Sequence, residues 1–461
     1  MSNNKKTIAG RRLPAITFGA VAGLAGVVGL AVQAQEEPLI NMGLTFGARF
    51  EDRKPEDDRS VYFARLATVL TTGTRTQSLR IASDSQLTWD STTEEGIEFE
   101  RPTLNIRYST GNRSTQFEAT LSRRTEDVDA LEEIIDPITG DLIDLVDDSG
   151  TLETLRFSTG LTTGIDAPFG TETQFSFTRR AYTGTNDPSL TDLDNYQIGT
   201  TLRFDVDPRI RLTASANFQE TEEDNETSTT NRTTQYGLGG TFLIDRLWTG
   251  TAALRYSVFE TEQTVGPFRL TTENEGVGYS LGLSRAMRNG SIAFVLSREE
   301  SDNGEVDNFS VTRDRDLRNG GTLAWSVGLS EFPDGDVVPL ASVSFSRPTI
   351  DGNFSVDLTQ TARLTDDGNV VLTSLGVNYG QEINSISNWS LNGSLTSLDN
   401  SLGTEEDQSR ASVGVTYNRA LTEDWNLSTS LSHNITYAGG DFDSRASVLS
   451  LSLQRDFSFR P

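Results

Sequence analysis

Apolar and polar residues alternate with a period of two along most of this chain. At its end, Leu449, Leu451, Leu453, Phe457 and Phe459 fall on one side of an extended strand, while Ser450, Ser452, Gln454, Asp456 and Ser458 fall on the other. Strict alternation marks a strand with one apolar and one polar face. The apolar sides of further strands are Leu104, Ile106 and Tyr108; Phe117, Ala119 and Leu121; Leu254, Tyr256 and Val258; Tyr279, Leu281 and Leu283; Ile292, Phe294 and Leu296; and Val413, Val415 and Tyr417. The interleaved positions are mostly Ser, Thr, Asn, Gly, Gln or Arg.

Two kinds of connection alternate between these strands. Short ones carry turn formers, as in Gly111-Asn112-Arg113, Asp205-Val206-Asp207-Pro208 and Met287-Arg288-Asn289-Gly290. Such spacings predict tight hairpins. Long ones are acidic, as in Glu51–Arg59, Asp90–Glu98, Glu126–Gly150, Glu220–Asn231 and Glu299–Asp307. Counting between them predicts about 22 strands, within a range of about 18–24. The segment around Gly414-Val415-Thr416-Tyr417 resembles the one around Gly376-Val377-Asn378-Tyr379. The implied period of about 40 residues fits a series of hairpins.

One face of every strand is apolar, yet the sequence holds no second set of apolar elements to cover it. Lipid is the simplest cover. Trp89, Trp248, Trp325, Trp389, Trp425, Phe457 and Phe459 lie near strand ends, where aromatic residues mark membrane interfaces. Composition is consistent with this. The 461 residues include 40 Gly and no Cys, so disulfides and thiolate metal sites are excluded. Residues 1–34 read as a signal peptide: Lys5, Lys6, Arg11 and Arg12 precede an apolar core and the small-residue site Val32-Gln33-Ala34. The formal net charge is -27. Removing four positive charges with residues 1–34 leaves about -31, which argues against nucleic acid as a partner.

On these residues the chain resembles the outer-membrane β-barrels of Gram-negative bacteria, porin-like in layout. The resemblance covers residues 40–461, and the domain expected after the signal peptide is a barrel over 35–461 with acidic extracellular loops. It implies an all-β, transmembrane, antiparallel up-and-down barrel located in the outer membrane. It further implies contact with outer-membrane lipid and lipopolysaccharide, insertion by the barrel-assembly machinery through the C-terminal strand, and the potential to form a homo-oligomer. Such barrels usually end on the aromatic residue, whereas Arg460-Pro461 follow Phe459 here. The first strand begins a few residues after the expected cleavage site, so the expectation is a barrel with no plug domain. That expectation disfavours the plugged receptors that import iron chelates, although their strand number would match.

Parity places several charged side chains inward as pore-lining candidates: Arg107, Arg156, Arg203, Arg255, Glu118 and Asp357. Inward arginines attract anions, or they pair with inward acids. The Glu126–Gly150 loop mixes acids with aliphatic residues, and an exposed loop has no need of the latter. It is a candidate constriction loop, with Glu132, Glu133, Asp136, Asp141 and Asp144 facing the wall. A surface flap is the competing reading. Asp-rich loops lack the spacing of a formed Ca²⁺ site, so no metal site is assigned. The single histidine, His433, lies near Asp441 and Asp443, but no nucleophile elbow, metal-binding His pair or phosphate loop accompanies it. No catalytic residue and no cofactor is expected.

The function expected from sequence is therefore a porin-like channel for passive diffusion of small hydrophilic solutes, or export of a polymer such as a polysaccharide. The alternative is a structural or adhesive surface barrel without significant transport.

Overall fold

A computed structural model of the chain describes residues 38–460, apart from 55–57, 91–96, 129–131, 136–141, 147–149, 186–189, 225–227, 302–303, 366–367 and 401–406. The first third contains β1 (Leu39–Lys54), β2 (Arg59–Gly73), β3 (Gln77–Asp90), β4 (Ile97–Gly111), β5 (Thr115–Val128), β6 (Glu132–Ile135), β7 (Leu142–Val146) and β8 (Gly150–Thr163). The middle contains β9 (Phe169–Thr183), β10 (Leu193–Asp207), β11 (Ile210–Glu223), β12 (Thr229–Leu243), β13 (Trp248–Val265), β14 (Phe268–Met287), β15 (Gly290–Ser301) and β16 (Gly304–Asp316). The last third contains β17 (Thr322–Glu331), β18 (Val337–Thr349), β19 (Gly352–Thr365), β20 (Gly368–Asn384), β21 (Ser387–Asn400), β22 (Gln408–Ala420), β23 (Trp425–Ala438) and β24 (Asp441–Phe459).

Twenty-two of these strands form one antiparallel sheet, each hydrogen-bonded to its neighbours in sequence. β5 pairs directly with β8, and β6 pairs only with β7, so that short hairpin is a sheet of its own. The sheet closes where β1 meets β24, from Ile40 opposite Phe459 to Lys54 opposite Arg445. Closure leaves no sheet edge at this seam, as a hydrocarbon environment demands.

Directly opposed residues point to the same side of a sheet, so register carries one face around the whole ring. One face bears Phe46, Leu66, Leu87, Ile198, Leu238, Leu281, Val327, Leu395 and Leu451, all exposed. No protein layer covers these large apolar side chains among the described residues, and lipid is the solvent that suits them. All five tryptophans share this outward face: Trp89 opposite Tyr62, Trp248 opposite Arg285, Trp325 opposite Val343, Trp389 opposite Tyr417, and Trp425 opposite Arg455. Arg455 also faces outward, without any bulge. Its guanidinium lies over Trp425 and Phe457 and reaches Asp424 at 3.5 Å, which carries the charge out of the hydrocarbon.

Several expected loops are strand instead. The acidic stretch 299–307 continues the ladder to Ser301 opposite Gly304. The β13–β14 hairpin likewise runs on to Val265 opposite Phe268. Above the membrane both faces of a strand meet water. The apolar alternation then disappears while the hydrogen-bonded ladder persists, so pattern alone stops the strand too early. Within 126–150, read as a loop, the β6–β7 hairpin forms.

Candidate functional site: the inner wall of the barrel

The second face of the sheet lines the lumen. All six pore-lining candidates have inward register. Arg107 donates to Glu118 at 2.6 Å across the β4–β5 ladder. Asp357 accepts from the Ser344 hydroxyl at 2.7 Å rather than from an arginine. Arg203 is committed to structure. Its Nη2 donates to the carbonyl oxygens of Gly164, Ile165 and Ala167 at 2.6, 3.0 and 3.2 Å, which pins the β8–β9 turn. Arg156 and Arg255 have no ion-pair partner among the described residues. The constriction-loop candidates divide differently: Glu132 and Glu133 lie on β6 and Asp144 on β7, while Asp136 and Asp141 lie outside the described residues.

Other inward cations were missed, Arg80 and Arg65 among them. Arg80 on β3 stands directly opposite Arg107 on β4. Like charges opposed across a ladder are unfavourable unless an anion sits nearby, and Glu118 supplies one negative charge for the pair. Arg156 lies on the same side of the barrel, opposite Ser122 of β5. The signal for Arg80 was present in the parity of Leu79 and Ile81, but its cross-strand partner depends on register. Arg65, also inward, is neutralised by Asp84 at 2.7 Å.

Another part of the wall differs in chemistry. β21 places Asn388, Ser390, Asn392, Ser394, Thr396 and Leu398 inward, and β23 places Asn426, Ser428, Ser430, Ser432, Asn434 and Thr436 inward. Neighbouring hydroxyls and amides bond to each other, as in Ser394 to Ser412 at 2.6 Å and Asn418 to Asn388 at 3.1 Å. The lumen thus has arginines on β3, β4 and β8 and hydroxyl and amide rows on β21 and β23, with Arg410 of the intervening β22 also inward.

The two ends of the lumen also differ. Inward residues near the strand ends that carry the longer connections are buried: Val61, Thr88, Leu152, Asn195, Ser330, Leu398 and Thr436. Leu190, from the β9–β10 connection, packs on Leu152 and Tyr182 there. Asp192 fixes that connection by accepting from the Tyr182 amide at 2.8 Å. Toward the short turns, inward Ser78, Glu118 and Glu172 are exposed. His433 faces outward on β23 and bonds the Ser447 hydroxyl through Nδ1 at 2.8 Å. Among the described residues no group of acids and histidine is arranged to hold a metal ion.

A closed 22-strand ring with an apolar outer belt defines this chain as a Gram-negative outer-membrane β-barrel. No protein-family model and no curated protein matches it. Solved structures do. The open form of the ferric-catecholate import receptor Fiu from E. coli K12 aligns with a TM-score of 0.61 at 9% identity, over 92% of this chain and 82% of that one. The FrpB iron transporter from Neisseria meningitidis gives 0.60 at 9% identity over the same shares. The siderophore receptor PiuA from Acinetobacter baumannii gives 0.59 at 11% identity, over 91% and 82%. At such identities the likeness is one of fold.

That likeness corrects the expected fold class. An up-and-down barrel without a plug domain was expected, and iron-chelate receptors were set aside on that ground. The solved barrels that this chain resembles are receptors of that kind, so the plugless assignment does not stand. The physical reason is size. A lumen of 22 strands is wide enough to hold a separately folded occupant, and wall pattern carries no information about one.

Proposed function

We propose that this barrel moves hydrophilic solutes, with a preference for anions, across the outer membrane through its lumen. The observation that carries the reading is Arg80 opposite Arg107, with Arg156 on the same side and Glu118 as the nearby counter-charge. Inward charge of one sign concentrates solutes of the other and sets selectivity. Passive diffusion is the simplest form of this transport. Purified protein in planar bilayers tests it: stable current steps with an anion-favouring reversal potential are expected. The double variant Arg80→Gln, Arg107→Gln should shift that potential toward zero. A barrel that is folded by heat-modifiable gel mobility yet never conducts overturns the diffusion reading.

A second reading has its own support. The covered outer end of the inner wall suits a receptor whose mouth opens only when a ligand engages it. Fiu is described as a ferric-catecholate import receptor and PiuA as a siderophore receptor. Saturable binding of a ferric catecholate, without conductance, selects this alternative.

A further inference from the structure

Arg255 occupies an unusual place in the ladder. On β13 it faces Gly237 of β12 on one side and Gly278 of β14 on the other. Neither neighbour has a side chain to pair with it, and the guanidinium is exposed on the inner face without an ion-pair partner among the described residues. Gly278 is required by close approach, since a Cβ there would lie 2.9 Å from the Arg298 carbonyl oxygen. A Cβ at Gly237 would lie 2.5 Å from the Ser215 hydroxyl, and one at Gly239 would lie 2.9 Å from the Thr213 hydroxyl. Between these strands the inner wall leaves a niche of about 350 Å³ beside Arg255, lined by Ser215, Ser257, Ser280 and Ser297 as well. That volume lies near the lower end of the ~300–1,000 Å³ usual for small-molecule sites.

A second, independent observation points to a ligand. Ser257 is 1% exposed, and its hydroxyl has no hydrogen-bond partner. Buried polar groups are nearly always bonded, and an orphan calls for an explanation such as a missing ligand. The edge of the niche carries Arg298, Glu299 and Glu300. Arg298 is spent on Asp307 and Glu305. Glu300 leans over Gly276, and its Oε1 is buried without a partner. The niche thus offers one free guanidinium at its centre, hydroxyls on its floor and a carboxylate acceptor at its edge.

We propose that this niche is a subsite for a carboxylated polyol, a sugar acid, with Arg255 taking the carboxylate and Ser257 and its neighbouring serines taking hydroxyl groups. Planar, forked pairing makes Arg255 the anchor. Glu300 accepts from a ligand hydroxyl and repels a second anionic group, which disfavours compact anions such as phosphate. The subsite lies on the lumen wall that the transport reading uses and rests on that reading for its role. Its test needs no conductance, so failure to bind and failure to conduct are separate results.

Calorimetry on detergent-solubilised, heat-modifiable barrel reads the outcome, with galacturonate as the probe. Galacturonate should bind, glucose and inorganic phosphate should bind at least about tenfold more weakly, and Arg255→Gln should weaken galacturonate about tenfold or more. Gly278→Val, which fills the niche from its other side, should abolish binding. Where that variant fails to fold, Ser257→Ala supplies the second measurement, with a smaller loss expected. Trigalacturonate separates the sources of this chemistry. Tighter binding than the monomer identifies a polymer segment, and equal binding identifies a free sugar acid. Equal affinity for galacturonate and glucose, or unchanged affinity in Arg255→Gln, overturns the proposal.

Discussion

The Arg203 guanidinium stands 2.6 Å from the carbonyl oxygen of Gly164, so this inward arginine on β10 holds a turn of the β8–β9 hairpin. Three carbonyls share its Nη2, and Asp205 lies 3.4 Å from its Nε. A hydrogen bond to a charged group contributes about 1.5–3 kcal/mol, less where the group is partly solvated, as here. Arg203→Ala should lower barrel stability by roughly 1–2 kcal/mol in urea unfolding from lipid vesicles while leaving ion selectivity unchanged. A change in reversal potential without a change in stability would reassign Arg203 to the conduction path.

The seam that closes the ring holds a second dependency. Gly47 of β1 faces Phe63 of β2 and Ser452 of β24. A Cβ at this position would lie 2.3 Å from the Phe63 ring and 2.8 Å from the Leu451 carbonyl oxygen. Gly47→Val should therefore cut the folded fraction sharply on a heat-modifiability gel. Adding Phe63→Ala should restore part of it, because the two residues share one contact. No recovery in the double variant would place the obstruction at the backbone of β24 alone.

At the rim that carries the short turns, Arg455 sits 5.5 Å from the centroid of Trp425 and 4.8 Å from that of Phe457. Cation–π contacts at exposed sites are worth about 0.5–1 kcal/mol. Arg455→Ala should cost roughly this amount, read as a lower urea midpoint of tryptophan fluorescence. Arg455→Glu, which sets a carboxylate against Asp424, should cost more and slow insertion. Equal stability of all three proteins would show that the stack is incidental.

The β12–β13 turn supplies a pH dependence. Asp245 accepts from the amides of Leu247 at 2.6 Å and Trp248 at 2.9 Å. These amide bonds, Leu247 first, hold its carboxyl below the usual carboxylate range. A depressed native value means that the stabilisation is complete above the unfolded-state value and is lost as pH falls through the native one. Protection of the Leu247 and Trp248 amides, measured against their intrinsic exchange rates, should thus be high at neutral pH and fall only in acid. Asp245→Asn should remove the acid step. Exchange that tracks global unfolding at every pH would count against a local cap.

Most of the architecture was legible from residues such as Leu449, Leu451 and Leu453, since a strand crossing lipid must alternate and a turn must carry turn formers. The same logic placed the tryptophans near strand ends, and register puts all five on the lipid side. The logic failed at 299–307, because beyond the membrane the polar pattern of a strand and of a loop are alike. The wall arginines were legible only in part. Parity sent Arg107, Arg156, Arg203 and Arg255 inward, but nothing in the spacing distinguished Arg203, bound to a turn, from Arg255, flanked by glycines.

Sequence by itself determined the two-faced strands, their approximate number, the outer-membrane location and the side on which most residues fall, because these follow from the local geometry of an extended chain in contact with lipid. Tertiary structure decided what stands beside what: Arg80 against Arg107, Gly237 and Gly278 against Arg255, Leu190 against Leu152. Such neighbours lie tens of residues apart, and only the register of a closed ring brings them together. Register is set cooperatively by the whole ladder, and no single segment encodes it.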